Sequence, residues 1–225
     1  MLKNILNLGD AALYCDFGDE VNKEINSNVI KYFNFLKKRK IDEITNLTPS
    51  YNKLIISFDL NKTNFFDLKK FIENIKIESS LSGSIKKIEI PVCCDPTFSL
   101  DIKRLEDELK LEKESILKNF FEKEYFCYMT GFIAGMPFLG DVDKKLRFKR
   151  LDTPRIKVPK GSIGLTEKFA NIYTFESPGG WNIIGNTPIN IFNNKNENAP
   201  NLINPGDLVT FKEISIEEYN KFLDE

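Results

Sequence analysis

The feature that most constrains this fold is an abrupt change of texture near residue 131. Nine of the 12 glycines and seven of the ten prolines lie beyond residue 130, and helical periodicity disappears there until the tail. Before that point two hydrophobic periods alternate. Ala12–Phe17, opened by Gly9-Asp10, reads as a strand. Val21, Ile25, Val29, Tyr32, Phe33 and Leu36 then recur at three- and four-residue steps, lining one face of a helix of roughly four turns. Ile41–Thr48 and Lys53–Phe58 read as strands around the turn signal Thr48-Pro49-Ser50. Asn61–Asn64 offers a helix N-cap before Phe65, Leu68, Ile72 and Ile75. After Ser82-Gly83-Ser84, Ile85–Ile90 reads as a strand stopped by Pro91. The order β-α-β-β-α-β is that of a ferredoxin-like unit.

Residues 92–124 read as a connector of two short helices. Ser99 is placed to cap the first, which carries Leu100, Ile102, Leu105 and Leu109; the second carries Ile116, Leu117, Phe120 and Phe121. Beyond residue 131, the short apolar runs Ile163–Leu165, Ile172–Phe175, Trp181–Ile184, Ile189–Phe192 and Leu208–Phe211 sit between turn signals. That is the pattern of a compact β-barrel or sandwich. Asn193–Pro200 reads as a polar loop tip. Ser215–Leu223 reads as a short helix whose Ser215 and Glu218 have capping-box spacing. The expectation is an α+β protein of two domains, residues 1–91 and 92–225, within the length range of one large or two small domains.

Composition excludes several chemistries. The 225 residues include no histidine, so a Ser-His-Asp triad, a Cys-His dyad and a His-ligated zinc site are ruled out. Proton transfer near neutral pH would need a carboxylate, lysine or cysteine with a displaced pKa. The four cysteines, Cys15, Cys93, Cys94 and Cys127, form no C-x-x-C pair and read as reduced thiols, three of them core filler. With no export signal or membrane span, a cytoplasmic location is expected. The net charge of −1 argues against bulk binding to nucleic acid or a membrane surface.

Three Gly/Pro-rich segments are candidates for chemistry. Gly131–Gly140 has glycines spaced for close backbone approach. It is not a G-x-G-x-x-G loop, and no helix pattern follows it. In Thr153–Ser162 two prolines fix the backbone around Arg155, which suits presenting a guanidinium fork to a carboxylate or phosphate. Phe175–Pro188 gathers Glu176, Ser177, the Pro178-Gly179-Gly180 turn and Trp181, the only tryptophan. The plainer readings are ordinary barrel turns, a core tryptophan, and a Glu and Ser that satisfy backbone donors. Residues 144–160 hold eight Lys/Arg against Asp152, a local charge of +7, either an anion site or docking surface or a solvated face. The tail from Glu213 to Glu225 holds five acidic residues against Lys221, which could pair with that segment within the fold or between chains.

At these segments the sequence resembles the family that includes the 5-oxoprolinase B subunit, KipI and allophanate hydrolase subunit 1. The resemblance rests on Gly9-Asp10-Ala11-Ala12-Leu13 with Phe17-Gly18-Asp19, on Thr48-Pro49-Ser50-Tyr51, and on Pro91-Val92-Cys93. Gly131-Phe132, Gly135, Pro137-Phe138-Leu139-Gly140, Thr153-Pro154-Arg155, Val158-Pro159 and Gly161-Ser162 continue it. Glu176-Ser177-Pro178-Gly179-Gly180-Trp181 with Ile184-Gly185 and Thr187-Pro188 matches best, and Asn204-Pro205-Gly206-Asp207, Phe211 and Ile214-Ser215 close it. The sequence departs from the family at Asn119, where a histidine is usual, and at Ala134 and Met136 of the Gly-Phe-x-Pro-Gly-Phe pattern. It departs again at Phe148-Lys149-Arg150, where a first Thr-Pro-Arg is usual. Thr166-Glu167-Lys168-Phe169-Ala170-Asn171 stands where Gly-Gly-x-x-Gly is usual.

The resemblance implies a ferredoxin-like N-terminal domain joined to a cyclophilin-like β-barrel. It implies companion subunits C and A, and an ATP-dependent opening of 5-oxoproline to glutamate. On that reading Arg155 binds the substrate carboxylate, Glu176 orients water or accepts a proton if partly desolvated, Ser177 donates to the carbonyl, and Trp181 with Gly179 and Gly180 walls the ring. No Walker-A pattern exists, so ATP is expected on a companion subunit or at the subunit joint; no metal-ligand cluster is expected. The alternatives are a KipI-like regulator that binds and inhibits a sensor histidine kinase, and a component of a urea or allophanate system.

Overall fold

The computed structural model describes residues 2–77, 85–196 and 199–224. It divides into two units, Met1–Ile85 and Lys86–Glu225. The first unit runs β1 (Asn4–Asn7), β2 (Ala12–Asp16), α1 (Lys23–Arg39), β3 (Ile44–Pro49), β4 (Lys53–Phe58) and α2 (Phe65–Glu73). Its strands form one antiparallel sheet in the order β1-β2-β4-β3. Alternation along β2 and β4 buries Leu13, Cys15, Leu54, Ile56 and Phe58, while α1 and α2 contribute Val29, Leu36, Leu68 and Ile72 to the same core. Asn22 caps α1 by accepting from the Ile25 N–H at 2.9 Å, and Asn64 caps α2 by accepting from Phe66 and Asp67. Val21 therefore falls outside α1. The turn expected at Ser82-Gly83-Ser84 lies outside the described residues.

The second unit continues with β5 (Lys87–Cys93), α3 (Ile102–Leu109), α4 (Lys113–Phe121), β6 (Tyr125–Thr130), β7 (Pro137–Gly140), a 3-10 turn at Lys144–Leu146, β8 (Arg155–Val158), β9 (Ser162–Thr166), β10 (Phe169–Ile172), β11 (Ser177–Gly179), β12 (Asn182–Asn186), β13 (Leu208–Ile214) and α5 (Ile216–Asp224). Seven strands close a barrel in the order β10-β7-β6-β13-β5-β12-β9, and β8 with β11 forms a separate two-stranded ribbon. Phe120 from α4 stacks on Phe211 at 4.7 Å, and Tyr125 meets both rings. This aromatic group joins Ile90, Val92, Cys127, Leu139 and Ile163 in the barrel core.

Four sequence expectations are corrected here. The strand expected to complete the N-terminal sheet is β5, which instead pairs in parallel with β13 from Lys87 to Cys93. The two units therefore part at Ile85, upstream of the boundary expected at residue 91, and the edge of the N-terminal sheet is filled by β1. That strand left no signal because NILN buries only Ile5. Secondly, β5 runs through Pro91 rather than stopping there. It pairs with β12 only at Cys93, so the missing Pro91 N–H has an open edge to face. Thirdly, Ser99 does not cap α3: its hydroxyl donates to the carbonyls of Cys94 and Asp95, and Asp101 is the N-cap residue. Ile189–Phe192 forms no strand beyond a bridge from Phe192 to Asn201. The capping box of α5 is present, with Glu218 accepting from the Ser215 N–H at 2.8 Å and Ser215 accepting from the Glu218 N–H at 3.2 Å.

Candidate functional site

The chain between Pro154 and Pro159 is held extended by its flanking prolines and becomes β8, which carries Arg155. Across the ribbon Arg155 lies opposite Gly179, and Val158 lies opposite Ser177. The Arg155 guanidinium is already engaged: Nη2 donates to Asp101 Oδ1 at 2.6 Å. Asp101 is 4% exposed, and its second oxygen accepts from the Ile183 N–H at 2.6 Å. Arg155 therefore already has a carboxylate partner within the protein. Among the described residues its Nη1, shielded from solvent, has no hydrogen-bond partner, and neither has Ser177 Oγ on the facing strand. Buried donors without partners are uncommon and call for an explanation.

Glu176 corrects another expectation. Its side chain is 55% exposed and pairs with Lys157 Nζ at 2.9 Å, so the desolvation that would fit it for proton transfer is absent. Gly179 and Gly180 differ sharply. A Cβ at Gly179 would stand 2.2 Å from the Tyr173 hydroxyl, whereas one at Gly180 would meet nothing closer than 3.6 Å. Trp181 is 8% exposed and packs edge-on against Phe138 at 5.6 Å, the geometry of a core residue.

Tyr173, which sequence reasoning missed, lies beside this turn, its hydroxyl facing Gly179, the residue opposite Arg155 on the ribbon. Burial pushes the Tyr173 phenol up, opposed by the Asn171 side chain, the Trp181 backbone and the positive charges of Arg150 and Arg155. Asn171 itself is fully buried and accepts from the Gly164 N–H at 3.1 Å. Asp101 was also missed. A carboxylate at the mouth of an amphipathic helix is ordinarily spent on a cap bond; only the fold reveals that this side chain makes none and grips an arginine instead.

The basic segment 144–160 is partly neutralised, its ion pairs among the described residues running to Asp101, Asp152 and Glu176. The departures from the family pattern scatter. Asn119 donates to the Ser115 carbonyl on the exposed face of α4, while Met136 is buried beside Val158, Tyr173 and Ile183. The turn between β9 and β10 forms without glycine, Glu167 taking a φ of 23°. Among the described residues no group of three or more His, Cys, Asp or Glu is placed to hold a metal ion.

Fold and site together define a mixed α/β protein whose closed seven-stranded barrel carries an arginine-centred polar cluster. More particularly, the chain belongs to the family described as carboxyltransferase domain, subdomain C and D, which matches residues 3–203. The B subunit of 5-oxoprolinase from Bacillus subtilis (strain 168) is 29% identical over 233 residues, covering 98% of this chain and 97% of that protein. Its namesake from Haemophilus influenzae is 30% identical over 212 residues, covering 92% and 96%. The crystal structure of TTHA0988 superposes with a TM-score of 0.82 at 27% identity over 91% of this chain, which spans only 40% of that longer protein.

Proposed function

We propose that this chain is the B subunit of an ATP-dependent 5-oxoprolinase, acting with companion subunits C and A to open 5-oxoproline to glutamate. The observation that carries this reading is the near end-to-end correspondence with the Bacillus subtilis protein, 98% of one chain against 97% of the other. We further read the N-terminal unit as ferredoxin-like with β1 in the place of the last strand, the barrel as cyclophilin-like, and the complex as cytoplasmic.

The chemistry defines what such a site must do. A five-membered lactam is a poor electrophile; phosphorylating its carbonyl oxygen activates the carbon, water adds there, the C–N bond breaks as nitrogen takes a proton, and a second water hydrolyses the resulting acyl phosphate to glutamate and free phosphate. ATP is assigned to a companion subunit or to the joint between subunits, since this sequence has no G-x-x-x-x-G-K-[ST] loop. Our assignment for this chain is substrate placement. Arg155 offers Nη1 and Ser177 offers its hydroxyl to substrate oxygens, and both donors are shielded and unpartnered among the described residues. Gly179 and Gly180 form the adjoining turn and Trp181 its apolar wall, while Glu176 becomes a rim residue rather than a proton acceptor.

Co-expression with candidate subunits C and A, followed by measurement of 5-oxoproline-dependent ATP hydrolysis, tests the reading. Activity is expected only in the assembled complex. Arg155→Ala should lower kcat/KM about 10- to 100-fold, the worth of one charge-assisted hydrogen bond. ATP hydrolysis indifferent to 5-oxoproline would refute the proposal. Inhibition of a histidine kinase, or turnover dependent on urea or allophanate, would replace it with one of the alternatives.

A further inference from the structure

We infer that Asp101 is the positioning residue that aims Arg155 at its ligand, an inference that rests on the reading of Arg155 as a substrate-binding group. Asp101 sits at the N-terminus of α3 yet makes no side-chain cap bond there. Both carboxylate oxygens are spent elsewhere, one on Arg155 Nη2 and one on the Ile183 N–H, each at 2.6 Å. Its own N–H donates to the Ile183 carbonyl at 2.9 Å. Asp101 is therefore fastened to β12 through backbone and side chain together. One turn along, Arg104 donates to the Asn182 side-chain oxygen, and Asn182 Nδ2 donates to the carbonyls of Lys149 and Leu165. The N-terminal end of α3 and the start of β12 make a rigid post on which the carboxylate is mounted.

A guanidinium is planar, so fixing Nη2 fixes the direction of every other donor. Held by Asp101, Arg155 points a shielded Nη1 from which nothing among the described residues accepts. A helix cap would have used the same carboxylate for local stability, and a surface ion pair would not be 4% exposed on the acidic side. The arrangement sacrifices part of the arginine's charge and gains a fixed direction, which favours recognition of one oxygen in one place over general attraction of anions.

Asp101→Asn keeps the shape and an acceptor for the Ile183 N–H while removing the charge that grips Arg155. In the assembled complex it should raise the KM for 5-oxoproline roughly tenfold, about one charged hydrogen bond's worth, with kcat within about twofold. In the Arg155→Ala background the same change should add nothing, because the carboxylate acts through the arginine. An unchanged KM, or a further rise in that background, overturns the inference. Nitrogen-15 NMR of the Arg155 side chain decides the same point without catalysis. Separate Nη signals in the wild-type chain that merge in Asp101→Asn support positioning; merged signals in both, or separate signals in both, overturn it. If the wild-type complex shows no 5-oxoproline-dependent turnover, the proposed function falls and the NMR result alone decides the role of Asp101.

Discussion

Gly179 and Gly180 are neighbours in one motif, and the structure gives them opposite responses to alanine. Neither takes a left-handed φ, so backbone strain is not at issue. At Gly179 the added methyl would lie 2.2 Å from the Tyr173 hydroxyl and 2.8 and 2.9 Å from its ring carbons. Tyr173 is 1% exposed and packed among Met136, Val158 and Ile183, so it has nowhere to retreat. Overpacking of this kind costs about 1–3 kcal/mol, offset by about 0.4–1 kcal/mol from the stiffer unfolded chain. Gly179→Ala should thus lose on the order of 1–2 kcal/mol. At Gly180 the nearest atoms are 3.6 Å away, an ordinary contact, leaving only the gain of about 0.4–1 kcal/mol. The gap of about 2 kcal/mol between the two variants, at a urea m-value of about 2 kcal/mol/M, separates their midpoints by about 1 M. Fluorescence of Trp181, the only tryptophan, reports the unfolding of this unit directly. Equal midpoints, or a Gly180 variant weaker than the Gly179 variant, would refute the packing argument.

The acid limb of stability should report on Asp16, whose carboxyl is held below the usual carboxylate range chiefly by its hydrogen bond from Lys53 at 2.5 Å. A depressed native pKa means the unfolded chain binds the proton first, so this contribution is complete above about pH 4 and fades as pH falls through the native value. Urea midpoints of wild type and Asp16→Asn should be separated at pH 7 and converge below about pH 4; a gap that widens in acid would contradict the assignment. The four cysteines are all buried, and burial raises their thiols, Cys15 and Cys94 to about 12. Iodoacetamide at mildly alkaline pH should leave the native chain unmodified by mass spectrometry and label all four only after denaturation. Rapid adducts on the folded protein would show that one of these thiols opens to solvent.

Local structure was legible wherever burial repeats with a regular period. The helix face of Val29 and Leu36 became α1, the alternation of Lys53–Phe58 became β4, and the Ser215–Glu218 spacing became a capping box. The surge of glycine and proline beyond residue 130 matched a closed barrel. Strand partners were a different matter. Nothing in Ile85–Ile90 distinguishes a strand that finishes the first sheet from one that pairs with β13, because both bury the same alternate residues.

The site divides in the same way. The amino-acid sequence by itself determined that Arg155 would sit on a proline-stiffened strand and that a glycine turn and a tryptophan would follow close behind. Tertiary structure alone decided that Arg155 meets an aspartate 54 positions earlier, that Glu176 faces water, and that a buried tyrosine fills the space above Gly179 but not Gly180. Periodicity records how much of each residue is buried, a property carried along the chain one turn or one pleat at a time. Which side chain meets which is a contact between distant residues, and it exists only once the barrel has closed.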